Sequence, residues 1–69
     1  MRLSTRNQLP ATVDSIVLGE AMAAVKVTVE GGHAVTASIT REAVEDLGLQ
    51  PGSRVLVLVK STEVMLGVE

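Results

Sequence analysis

The chain contains no cysteine, phenylalanine, tryptophan or tyrosine, and only two prolines among its 69 residues. Without Cys it has neither disulfides nor thiolate metal sites, which fits a reducing compartment. Without aromatic rings it cannot stack bases in the way single-stranded nucleic-acid binders on small barrels do. Positive charge is scarce as well: six Lys and Arg against eight Asp and Glu give a net charge of −2, which opposes a broad phosphate-binding face. No nucleic-acid partner is expected. Long apolar runs are also missing, so nothing reads as a bilayer span. The opening Met1-Arg2-Leu3-Ser4-Thr5-Arg6-Asn7 turns polar before the apolar stretch of a secretory signal could form. The expectation is a cytoplasmic protein with no membrane partner. One His and no Ser/His/acid arrangement leave no catalytic constellation, so no enzyme is expected.

What the chain does have is aliphatic residues: 46% of it is hydrophobic, all Val, Leu, Ala, Ile and Met, and mean hydropathy is +0.39. A domain this short buries only roughly 60% of the surface its unfolded chain exposes and usually needs disulfides, a metal or a partner. With the first excluded and so much apolar surface to hide, a homo-oligomer is expected.

Period-two alternation dominates the chain. Gln8 to Leu18 reads as a strand with Leu9, Ala11, Val13, Ser15 and Val17 on one face and Thr12, Asp14 and Ile16 on the other; Pro10 marks an edge or an entry point. After a Gly19-Glu20 turn, Met22 to Glu30 places Ala23, Val25, Val27 and Val29 inward. Gly31-Gly32 signals a hairpin, and His33 to Ile39 returns with Val35, Ala37 and Ile39 on the apolar side. Thr40 has the chemistry of a helix N-cap, Glu42 suits the positive helix end, and Gly48 is placed to end a short helix. Arg54 to Val59 and Glu63 to Val68 read as strands four and five. Residues 1–69 thus form one mainly β domain: five short strands with one short helix between strands 3 and 4, the pattern of a small OB-like Greek-key barrel.

Polar residues gather in two clusters, Ser4-Thr5-Arg6-Asn7-Gln8 and Lys60-Ser61-Thr62. Each offers a cation, hydroxyls and backbone amides, the donors that a tetrahedral dianion needs. Arg supplies a planar fork and Lys a point charge, so together they can grip different faces of one anion. On composition alone the first cluster is equally readable as a solvated terminus. Asn7 suits a turn-fixing role, His33 a solvated loop, and the three Met residues packing.

The clusters carry a resemblance. Ser4-Thr5-Arg6-Asn7-Gln8-Leu9 resembles the Ser-Ala-Arg-Asn-Gln opening of the molbindin (Mop) family of molybdate-binding domains, with Thr5 standing where Ala is usual. The likeness continues through Thr36-Ala37-Ser38-Ile39-Thr40, Leu47-Gly48-Leu49 with Pro51-Gly52, and Val59-Lys60-Ser61-Thr62-Glu63-Val64-Met65, nearly the whole chain. It implies an OB-like five-stranded barrel, assembled as a hexamer, that binds molybdate or tungstate between subunits. Ser4 and Arg6 of one subunit would hold the anion, Thr40, Lys60 and Ser61 of a neighbour would complete the shell, and no protein side chain would ligate the metal directly. Arg6 could instead pair with a carboxylate, Lys60 be a plain strand-end lysine, and Thr40 serve as a cap alone. The family's regulator and transporter ATPase carry a helix-turn-helix region or a Walker motif; this sequence has neither, which leaves binding for intracellular molybdenum storage and homeostasis. The alternative is a small OB-like interaction module without an oxyanion ligand.

Overall fold

A computed structural model describes residues 2–69. Four strands, β1 (Asn7–Leu18), β2 (Met22–Val29), β3 (Ala34–Thr40) and β4 (Arg54–Val59), form one antiparallel sheet in the order β3-β2-β1-β4. The helix α1 (Arg41–Leu47) joins β3 to β4, and a 3-10 turn spans Ser61–Glu63. A curled, mainly β sheet with one short helix is therefore present.

The strand expected over Glu63–Val68 is not formed. Val64 is extended, with φ −91 and ψ 127, and beyond it Met65, Leu66 and Val68 are 91%, 96% and 100% exposed. A strand needs a partner edge as well as alternation, and this segment meets none in its own chain.

β2 supplies the centre of the core, because its alternate residues Ala23, Val25, Val27 and Val29 all point inward. With Ala11 and Val13 of β1 and Val44 of α1 they are the buried hydrophobic residues, and Val35, Ile39, Leu49, Val55 and Val57 pack around them. With only Val and Ala inside, the core is thin. Complete burial of one such valine contributes about 1.5–3 kcal/mol.

β1 departs from simple alternation. Its register against β2 shifts between Val13 and Ser15, leaving Asp14 without a ladder partner; the Thr28 hydroxyl donates to the Asp14 carboxylate at 2.6 Å. A bulge of this kind moves every later residue to the opposite face. Ile16, assigned to the outer face by sequence, thus lies opposite buried Val25 and packs on the core. Val17, assigned inward, is 67% exposed.

Turn chemistry follows the sequence closely. Gly31 and Gly32 have φ of +100 and +97, values that a side chain would resist, and Val29 N–H donates to His33 O to close the hairpin. Thr40 caps α1, its Oγ1 accepting from Ala43 N at 3.0 Å, and Gly48 ends the helix in the left-handed region. Pro10 sits one residue beyond the last β1–β2 pair, Ala11–Val29, so its missing N–H interrupts no ladder bond to β2.

Candidate functional site

The antiparallel pairing of β1 with β4 sets Asn7 opposite Val59. It therefore brings the residues just before β1 against those just after β4, although more than fifty positions separate them in sequence. Two side chains fasten this junction. Asn7 Nδ2 donates to Val59 O at 3.0 Å, tying the two strand ends together. Gln8 Nε2 donates to Thr5 O at 2.7 Å, folding the preceding segment back over the strand.

The result is an open pocket of about 340 Å³ lined by Ser4, Thr5, Arg6, Lys60, Ser61 and Thr62. Its side chains comprise two cations and four hydroxyls, with no carboxylate. The ion pairs formed among the described residues are Arg41–Glu45 and Arg54–Glu30; neither Arg6 nor Lys60 takes part. Lys60 precedes the 3-10 turn, whose first internal bond runs from Glu63 N to Lys60 O at 2.9 Å. The amides of Ser61 and Thr62 come before that bond and are the ones a 3-10 turn leaves free to donate outward. Positive charge, hydroxyl donors and free amides in one concavity suit a small tetrahedral anion.

Of the five site residues named from sequence, the fold brings together Ser4, Arg6, Lys60 and Ser61. They line one pocket on one chain, whereas the resemblance divides them between two subunits. Thr40 lies apart: it pairs with Met22, toward the Leu18 end of the sheet and away from Asn7. Its hydroxyl oxygen accepts from Ala43 N, which still leaves the hydroxyl hydrogen free to donate. Two lining residues, Thr5 and Thr62, were not among the five. Both lie inside the polar clusters, and the hydroxyl of Thr5 is the feature in which this sequence departs from the family's usual Ala.

Two other features bear on chemistry. Among the described residues no group of three or more His, Cys, Asp or Glu side chains could hold a metal ion. No helix among them is long and apolar enough to cross a membrane.

Residues 3–66 match the TOBE domain family. A probable molybdenum-pterin-binding protein of Haemophilus influenzae is 38% identical over 69 residues, all of this chain and all of that protein. The molybdenum-pterin-binding protein MopA of Rhodobacter capsulatus is 42% identical over 66 residues, 96% of this chain, which spans only 25% of MopA. The solved structure of a molybdate-binding protein from Sporomusa ovata superposes with a TM-score of 0.93 at 43% identity, covering 99% of this chain and 100% of that one. The pocket's donor set, the fold and these likenesses agree: the chain belongs to the TOBE domain family, among its molbindin (Mop) members.

Proposed function

We propose that the chain binds molybdate, or the similarly sized tungstate, in the pocket formed by Ser4, Arg6, Lys60 and Ser61. The observation that carries this reading is the pairing of two cations free of carboxylate partners with four hydroxyls in a single concavity. Relatives named for molybdate and molybdenum-pterin binding support it. Selectivity over sulfate follows from size, since a smaller anion leaves some of the donors unpaired.

The working form in this reading is a homo-oligomer, a hexamer, with the pockets at subunit interfaces. The pocket is open to solvent on one side, and an approaching copy brings donors to it; Thr40, capped but still able to donate, is the candidate. Binding and assembly are then linked, because a ligand that bridges two copies stabilises the oligomer. The task is cytoplasmic storage and buffering of molybdenum by one domain, without catalysis.

Isothermal titration of the purified protein with molybdate, tungstate and sulfate tests this, alongside its mass in solution. Saturable heat from the first two, none from sulfate, and a mass of several chains are expected. A well-folded oligomer that binds none of them would leave an interaction module without an oxyanion ligand.

A further inference from the structure

The chain exposes 5508 Å² of surface, about 1,400 Å² more than the roughly 4,100 Å² expected of a compact monomer of 7.2 kDa. Its radius of gyration, 12.7 Å, likewise exceeds the roughly 11 Å expected for 69 residues. The surplus has two complementary locations. One is the segment after the 3-10 turn, where Val64, Met65, Leu66 and Val68 are all exposed apolar side chains. The other is an apolar groove of about 290 Å³ on the inner side of the curled sheet, whose walls include Val25 and Val27 of β2, Ala37 and Ile39 of β3, and Val55 and Val57 of β4.

The groove reaches from β3 to β4, the two outer strands of the sheet, each of which has one edge without a strand partner. A fifth strand there would close the sheet. The only apolar segment of the chain left outside the packing is Val64–Val68, and the chain leaves the 3-10 turn extended at Val64 without returning to its own groove. Its alternation places Val64, Leu66 and Val68 on one face, a pattern suited to strand addition at an open edge.

We propose that Val64–Val68 of one chain adds as a strand to a second copy, filling that copy's groove with Val64, Leu66 and Val68 while the second copy's segment fills the first groove in return. Reciprocal exchange satisfies two-fold symmetry and leaves neither groove nor tail exposed. The surplus area of each chain is more than the roughly 800 Å² per partner that a standard stable interface buries. This rests on the oligomer proposed above but not on the anion.

Two experiments on the full chain test the exchange. Leu66→Asp, at a position exposed in the single chain, should leave the fold intact by circular dichroism and at least halve the mass measured by sedimentation equilibrium; an unchanged mass overturns the proposal. Because the protein has no native Cys, Leu66→Cys can be combined in turn with Ala37→Cys, Ile39→Cys, Val55→Cys and Val57→Cys and mildly oxidised. At least one pair should give disulfide-linked multimers on a non-reducing gel, well above the level seen with Leu66→Cys alone. Links formed only within a chain, or no excess over the single variant in any pair, would mean that the tail does not cross. Titration of wild-type protein with molybdate reports separately on the anion, so either reading can fail without the other.

Discussion

Arginine and lysine behave differently at the two ends of β1. Near Leu18, Arg41 donates to Glu45 and to Gly19 O, each at 3.2 Å, and its amide bonds Ala21 O. Further along the sheet, Arg54 reaches Glu30 and the Thr12 hydroxyl, each at 3.3 Å. At the Asn7 end, by contrast, Arg6 and Lys60 share a pocket with hydroxyls and no carboxylate. Charges that complete the fold find protein partners, whereas those held beside one another without a counter-charge are available to a ligand. Proximity of cations is thus more informative here than their number.

The contrast can be broken most strongly at the pocket. Arg6→Ala and Lys60→Ala should each weaken molybdate binding by about 1.5–3 kcal/mol, the range for a hydrogen bond to a charged group, with the thermal transition of the ligand-free protein nearly unmoved; calorimetric titration measures the first and a melting curve the second. A smaller loss is expected from Asn7→Ala, which removes the bond joining the two halves of the pocket: about 0.5–1.5 kcal/mol in affinity, read by the same titration. Smaller still, Arg41→Ala and Arg54→Ala should lower stability by less than about 1 kcal/mol, since both pairs are exposed, and leave molybdate affinity alone. Equal losses of affinity in all four cation variants would erase the distinction between the two ends. His33→Ala, in the exposed hairpin loop, should change neither quantity, and a titration that showed otherwise would place the loop in the site.

How much could be read from sequence depends on how local the cause is. The inward face of β2, the Gly31-Gly32 hairpin, the Thr40 cap and the Gly48 stop all depend on residues within a few positions of one another, and all were legible. The bulge at Asp14 was not, because the sequence around it alternates smoothly and the extra residue is identified only by its register against β2. Glu63–Val68 has the alternation of a strand, yet a strand also needs an edge, which no sequence window contains. For the candidate site, the two polar clusters were visible, but their meeting depends on Asn7 pairing with Val59 across the sheet. Thr40 was assigned to the site by family likeness, and within one chain it remains at the opposite end.

Asn7 and Val59 form the last rung of the β1–β4 ladder, and the ends of ladders are where strands fray. An anion gripped by Arg6 on one side and Lys60 on the other would act as one rung more, made of oxygen and metal instead of peptide. Ligand would then slow the opening of that end of the sheet, and the amides around Gln8 and Leu58 would exchange with solvent more slowly while those at the opposite hairpin kept their rate. A tetrahedral ion too small to touch the core would in this way lengthen a β-sheet.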